Sequence, residues 1–539
     1  MEKITKQVAR RIHGMTGRVK ARCVAGLRDE RGATAVFFAV GLLLLAPATM
    51  GLIDIYMITS QRGQLQDALD TATLYVARSS ATAPAAIQTA GDSALRANLK
   101  LPTGQVITSS SFVLEGITIK GRASITPPTV GPRLWAQADI SAASDVLRNS
   151  NNVEVALVLD TTGSMSAQMS NLRTAAKDLV DLVVKDQQSP YYTKLAVVPY
   201  SYGVNLGAFE NAARGATKGP TNISAASKTN PVVVTSNNHG LYEGERVYIT
   251  GVKGMTQLNG KTFVATDVTQ NTFKLKTWSS GSTSNANGTS WGGYTSGGTA
   301  QCRGEGCDVH IFTTVSNKQN TWNKTSCATE RTGSDAYTDA GPSSTVGWHY
   351  RDNSGAAPCP SASIMPLSSN RTALKAHIDT LDDAGSTAGQ IGLAWGWYMV
   401  SPEWASAWTG SSAPAAYGTR ELLKVVVLMT DGAFNTPYCR GVAAKDAGSG
   451  APNTDSRINC DGTNGDPYAQ AAKLCSAMQA KGIIIYTVGF NVGSETQVQN
   501  LMRNCATSPE YVYMPNGGAE LKVAFRAIAQ DINSLRIAK

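Results

Sequence analysis

Two apolar runs in this chain each stop abruptly on an aspartate, and few folds accommodate that pattern twice. Val153 to Ser166 reads VEVALVLDTTGSMS, a strand-favouring run closing on Asp160 and followed by a tight turn around Gly163. Leu422 to Asp431 reads LLKVVVLMTD and is followed by Gly432. Continuous apolar runs of this kind suit strands covered on both faces, as in a parallel sheet. Thr162 and Ser164 alternate behind Asp160, so one carboxylate and two hydroxyls can converge at a strand's carboxyl end. An all-oxygen corner of this type suits a hard divalent cation, although a plain strand, turn and helix N-cap accounts for the same residues.

Between the two runs, Asp383 to Trp397 (DAGSTAGQIGLAWGW) carries Thr387 in a Gly-containing loop before a helical stretch. The order D-x-T-x-S, then a loop Thr, then T-D-G resembles the metal-ion-dependent adhesion site (MIDAS) of von Willebrand factor A domains. The resemblance assigns Asp160, Thr162 and Ser164 to the first loop of that site, Thr387 to the second and Asp431 to the third. Thr162 stands where many members have Ser, which keeps the hydroxyl. Mg2+ is the ion expected first, with Mn2+ beside it and Ca2+ second, because few rigid oxygen ligands with retained water favour the smaller ion. In such domains the open position is completed by an Asp or Glu of a partner.

The rest of the domain follows as alternating elements. Helices are expected over about 168–185, 371–381, after Thr387, and 521–535, with strands over 194–200, 483–490 and 511–514. Alternation of this kind predicts an α/β fold with a doubly wound, mainly parallel sheet, whose ligands gather beyond the carboxyl ends of the strands. The domain spans 151–539 and is interrupted by an insert over 207–370, too long to be a loop. Within the insert, a β module over about 228–278 shows short strands between NNHG, GVKG and LNGK turns. It resembles the first catalytic cysteine half-domain of ubiquitin-activating enzymes, and only a fold is carried over. A Gly/Ser/Thr/Asn-rich linker over about 279–300 and an irregular Cys-containing loop over about 301–360 follow.

Gly32 to Ile53 holds no charge, and about 20 such residues form a helix long enough to cross a membrane. A secretory signal would carry an apolar region of only about 7 to 15 residues. Of the formal net charge of +9, six charges lie in residues 1–31, where nine Lys or Arg face three acidic residues. This basic tail places the N-terminus in the cytoplasm and the bulk outside, in the periplasm of a two-membrane bacterium. The nearly neutral remainder carries no stripe for nucleic acid.

After the span, Asp54 to Arg78 continues with helix formers, so that 32–80 reads as a transmembrane helix and its extension, and 81–150 as a β-rich connecting region. The elements RGATAVFFAV, DIY and QRGQLQDALDTAT resemble the N-terminal segment of TadE/TadG-like proteins of the Flp (tight adherence) pilus system. TadG-like members join this segment to an A domain. The resemblance implies a membrane-anchored assembly component whose partners are other pilus assembly proteins or pilin. The alternative is a pilin-like or surface adhesin subunit, prompted by Arg31-Gly32 before the span. Against it, Phe37 stands where pilins of that system carry Glu. A metal-dependent hydrolase is the third class, but no H-E-x-x-H or G-x-S-x-G motif lies near these residues in sequence and no enzyme is expected.

Of nine cysteines, Cys23 lies in the basic tail and eight follow residue 300, which predicts disulfides in an oxidising compartment. Cys475, on the helix before the 483–490 strand, and Cys505, after the next short helix, are expected to meet at one sheet edge, with Cys439 and Cys460 closing the loop after Asp431. For Cys302, Cys307, Cys327 and Cys359, pairing as 302–307 and 327–359 is one of several connectivities.

Overall fold

The computed structural model describes residues 30–537, apart from 80, 82, 116–117, 129–137, 148–150, 190, 280, 344 and 352–358. Most of the basic tail, Cys23 and the junction at 148–150 lie outside the described residues. The chain divides into two units, Met1–Asn149 and Ser150–Lys539.

In the first unit one helix, α1 (Glu30–Arg78), runs through the uncharged stretch, past Pro47 and on into the amphipathic extension. Its apolar half leaves Phe37 78% and Phe38 72% exposed, so no protein surface covers them. By length and composition it is long and apolar enough to cross a membrane. Further along, Leu65, Leu69, Ala72 and Val76 recur at helical spacing and are buried. They pack with α2 (Pro84–Asn98) and an antiparallel sheet of β1 (Ile107–Glu115), β2 (Thr118–Ile125) and β3 (Ile140–Leu147). The connecting region is therefore not β alone. Pro84 in the first turn starts a helix that buries Ile87, Gly91 and Leu95 at four-residue spacing. Gly91 is required there, because a Cβ would stand 2.2 Å from the ring of Phe112.

In the second unit the central elements are β4 (Asn152–Asp160), α3 (Met169–Val183), β5 (Thr193–Tyr200), β6 (Met365–Ser368), α4 (Arg371–Asp379), α5 (Gly389–Val400), β7 (Leu422–Thr430), α6 (Pro467–Ala480), β8 (Ile484–Gly489), α7 (Thr496–Cys505), β9 (Val512–Tyr513) and α8 (Gly518–Ile537). Their sheet has the order β6-β5-β4-β7-β8-β9. It is mixed: β5, β4, β7, β8 and β9 run parallel, but β6 pairs antiparallel with β5. A parallel edge strand needs a crossover helix, whereas β6 enters straight from the insert. Along β4, Ala156 and Val158 face a core shared with α5, α6 and α7, while Val155 and Leu157 face one shared with α3, α4 and α8. Both faces are covered, which is why the strand reads as continuously apolar from Val155 to Leu159.

Helix α5 is buried along nearly all its length, and its glycines let it approach the sheet. A Cβ on Gly392 would stand 2.4 Å from Cδ1 of Tyr200. Alanine gains about 1 kcal/mol of helix propensity over glycine, but overpacking costs about 1–3 kcal/mol, and this ring is fully buried. The clash wins. Gly392→Ala is expected to lower the unfolding free energy by about 1 kcal/mol, measured by denaturant titration of the full chain in detergent; an unchanged or higher midpoint would refute the tight contact.

The insert is more ordered than expected. Its β module runs from Thr221–Asn222 to Thr299–Cys302 and is wider than 228–278. The expected linker over 279–300 is built into it: Ser282–Asn285 pairs with Thr272–Ser279, and Thr299–Cys302 pairs with Arg246–Thr250. Glycines there serve turns, as at Gly281 with φ of 89° before Ser282–Asn285. The supposed irregular loop over 301–360 contains strands Val309–Thr313, Gln319–Ala328 and Trp348–Arg351, which bury Phe312, Trp322, Trp348 and Tyr350. Disulfides join Cys302–Cys307, Cys327–Cys359, Cys439–Cys460 and Cys475–Cys505.

Candidate metal site

Because β4 lies between β5 and β7, the carboxyl end of β4 is flanked on both sides. Asp160 stands opposite Tyr200 of β5. On the other side Val158 is level with Leu428, which brings Asp160 level with Thr430 and next to Asp431. The Asp160 carboxylate is fully buried and divided in its contacts. Its Oδ2 accepts from the Thr430 hydroxyl at 2.9 Å and lies 3.1 Å from the Tyr200 hydroxyl, which is also 3.0 Å from the Met429 carbonyl. The Asp431 backbone N–H adds a longer contact at 3.3 Å. The other oxygen, Oδ1, accepts from the Thr162 hydroxyl at 2.6 Å and the Thr162 N–H at 3.0 Å.

From there the network crosses to the second carboxylate. The Thr162 and Ser164 hydroxyls are 2.9 Å apart, and Ser164 donates to Asp431 Oδ1 at 2.8 Å. Thr162 Oγ1 lies 3.5 Å from that same oxygen. Ser164 is exposed and Asp431 half-buried, so the cluster opens to solvent on this side. The loop before α5 is tied on by backbone bonds, from Ala384 N–H to the Thr161 carbonyl and from Gly163 N–H to the Gly385 carbonyl, both at 3.0 Å. Gly385, at φ of 82°, adopts a conformation suited to glycine and leaves no room for a Cβ beside Tyr202. Thr387 in this loop is buried and exchanges bonds with Asn435 through its backbone: its N–H donates to Asn435 Oδ1 at 3.3 Å and its carbonyl accepts from Asn435 N–H at 3.0 Å. Asp160, Thr162, Ser164 and Asp431 thus form one hydrogen-bonded cluster. Thr387 sits in the adjoining loop, and its hydroxyl makes none of the cluster's bonds.

Burial pushes the Asp160 carboxyl up from its ordinary range, against the hydrogen bonds from Thr162 and Thr430 that favour its charged form. Asp431 is pushed up too, by burial first and then by the charge of Asp160. Among the described residues no Lys or Arg forms an ion pair with either carboxylate, in contrast with Glu154, which is bridged by Lys424 elsewhere in the sheet. Two adjacent carboxylates surrounded by hydroxyls and lacking a protein cation form a donor set that fits a hard divalent ion. Asp160, Thr162, Ser164 and Asp431 fit it directly, and Thr387 by its place in the neighbouring loop. Tyr200 and Thr430, which hold Asp160, are not in the set read from the sequence. Thr430 precedes Asp431 in T-D-G, and Tyr200 ends the strand beside β4; those positions are the only signals they give.

Comparison with known proteins bears on two segments of this layout. Residues 32–79 match the family described as putative Flp pilus-assembly TadE/G-like, and residues 229–303 match the ubiquitin-activating enzyme E1 FCCH domain. No curated protein matches the chain. Among solved structures, it is similar to the vWF domain of the type V pili tip protein Mfa5 from Porphyromonas gingivalis, at 11% identity and TM-score 0.32, over 72% of this chain and 97% of that one. It is similar also to the pilus adhesin SpaC from Lactobacillus rhamnosus GG, at 11% identity and TM-score 0.31, over 81% and 36%. A third is the pilus adhesin RrgA from Streptococcus pneumoniae, at 12% identity and TM-score 0.30, over 79% and 48%. These likenesses are too slight to assign a fold, which rests on the sheet order and registers above.

The chain is a TadE/G-like N-terminal segment with an apolar helix, joined to an α/β domain that carries an FCCH-like module.

Proposed function

We propose that this protein is a membrane-anchored component of Flp/Tad pilus assembly whose α/β domain binds a protein partner through a divalent cation. The cation, Mg2+ before Mn2+ or Ca2+, is held by Asp160, Thr162, Ser164 and Asp431, with Thr387 completing the set. One observation carries the reading: two carboxylates share a ring of hydroxyls at the carboxyl ends of adjacent strands, with no Lys or Arg paired to either among the described residues. A bound ion supplies the positive charge they lack and presents an open coordination position to solvent, where exposed Ser164 marks the entrance. A partner's Asp or Glu, from pilin or another assembly protein, fills that position.

Among the described residues the groups touching the two carboxylates are hydroxyls and backbone N–H groups, which suit holding an ion's ligands in place, and the role proposed is binding. Basic residues before the apolar helix support an inner-membrane protein with its N-terminus in the cytoplasm and its bulk in the periplasm. The test is calorimetric titration of the metal-stripped full chain in detergent with Mg2+ and Mn2+, followed by capture of pilus components from membranes in Mg2+ or in chelator. One-to-one binding and Mg2+-dependent capture are expected. Thr387→Ala is expected to weaken binding about tenfold by removing one neutral oxygen donor. A folded chain with no saturable divalent binding would end the proposal.

A further inference from the structure

Away from the carboxylate cluster, a cavity of about 360 Å³ lies where the β module meets the strand Val309–Thr313 and the disulfide loop of Cys439 and Cys460. Its walls include Tyr242, Glu245, Arg246, His310, Phe312 and Arg440. Arg246 is only 7% exposed, and its Nε has no hydrogen-bond partner. No carboxylate among the described residues forms an ion pair with it, and the Trp278 ring lies 5.8 Å from the guanidinium carbon. His310 is 2% exposed and its Nδ1 is likewise without a partner.

Guanidinium does not lose its proton in proteins. A buried charge is stable only when paired or hydrogen-bonded, so Arg246 calls for an anion that the chain itself does not provide. The acids nearby are otherwise engaged. Glu245 accepts from the Tyr242 N–H at 3.0 Å, and the charges that answer it are Lys218 and Arg440. Its other oxygen lies 3.4 Å from Cys307 Sγ, a contact without a hydrogen, because that sulfur is bonded to Cys302. The same bond removes both sulfurs as metal ligands, although they cluster with Glu245. Glu305, too, is faced by Arg440 and Lys218. Arg440, exposed and held over the Tyr242 ring at 4.4 Å, stands at the rim. Burial, with the charges of Arg440 and Arg246, presses His310 down to about 3, so it is neutral and both guanidiniums bear on one region.

We infer that this cavity is a binding site for a small oxyanion, a carboxylate or a phosphate, held by Arg246 in its wall and Arg440 at its rim. The planar fork of Arg246 matches two oxygens of either group. The site is separate from the cation site and needs no metal.

The experiment uses the full chain in detergent and chloride buffer, titrated calorimetrically with inorganic phosphate in one arm and succinate in the other. Saturable one-to-one binding of at least one probe is expected; phosphate alone or succinate alone identifies the source of the oxyanion. Loss of one charge-assisted contact corresponds to about 10- to 100-fold weaker binding in Arg246→Gln, and Arg440→Gln is expected to weaken it about tenfold. Asp160→Asn and removal of divalent ions leave it unchanged. In chloride alone, Arg246→Gln is expected to melt at or above the wild type, since it removes an unpaired buried charge. If Arg246→Gln does not fold, exposed Arg440→Gln decides the matter. No saturable heat with either probe, or wild-type affinity in the folded variants, overturns the inference.

Discussion

Asp160→Asn is expected to lower divalent-cation affinity on the order of 100-fold or more while leaving the domain folded, about 2.7 kcal/mol of binding free energy or above. Asparagine keeps the shape of the side chain and one carbonyl oxygen to accept from Thr430 and Tyr200, the contacts that position Asp160 at 2.9 and 3.1 Å. It removes the charge, which on a fully buried carboxylate acts on the ion at a lower effective dielectric than in water. In metal-free buffer the same change relieves a buried carboxylate of its like-charged neighbour Asp431, so the variant is expected to melt no lower than the wild type. Mg2+ titration and thermal melting of the two full-length chains, each with and without chelator, make the check. The informative pattern is a Mg2+-dependent rise in melting temperature in the wild type only. Equal Mg2+ affinity in both chains would remove Asp160 from the site.

The residues behind that variant are legible in the sequence, because strands covered on both faces are largely apolar and Asp160 and Asp431 mark where two such runs end. The same rule locates β4, β5, β7 and β8 to within a residue or two. The cysteine pairs are legible only in part. Element order argues for Cys475 with Cys505, whereas the insert admits several connectivities, and only its folding puts Cys327 and Cys359 on neighbouring segments. Harder to read are features created by packing between distant segments. Tyr200 acquires its role from the register with Asp160, which no local pattern encodes. The strand Gln319–Ala328 is rich in Asn, Thr and Lys and shows no clean alternation; it forms because partners on both sides supply the hydrogen bonds. Arg246 and its cavity arise where the insert meets the loop after Asp431.

Glu330 provides the second large effect, and its sign is opposite to the usual carboxylate case. The side chain is buried, with one oxygen accepting from Gln390 at 2.9 Å and Gln470 at 3.1 Å and the other without a partner. Burial raises the acid from its ordinary 4.5 to about 8, and the hydrogen bonds from Gln390 and Gln470 only partly oppose this. Between those two pH values the folded protein retains a proton that the unfolded chain has released, so stability falls as pH rises. The stability is fully present below about 4.5 and is lost progressively up to about 8, above which the curve is flat. At about 1.4 kcal/mol for each pH unit of that interval, the loss is on the order of 3–5 kcal/mol. Glu330→Gln removes the titration and supplies an N–H₂ group where the bare oxygen stood. The variant and wild type are therefore expected to unfold alike near pH 4.5 and to diverge by several kcal/mol by pH 8.5, with the variant more stable. Denaturant unfolding at pH 4.5, 6.5 and 8.5 reads the difference directly, and taking it between the two chains cancels the other raised acids, Glu245 and Asp431 among them. A gap that stays constant across that range would mean that Glu330 is ionised in the folded protein and paired by a cation, and the role of Gln390 and Gln470 would then be to orient a charge and not to share a proton.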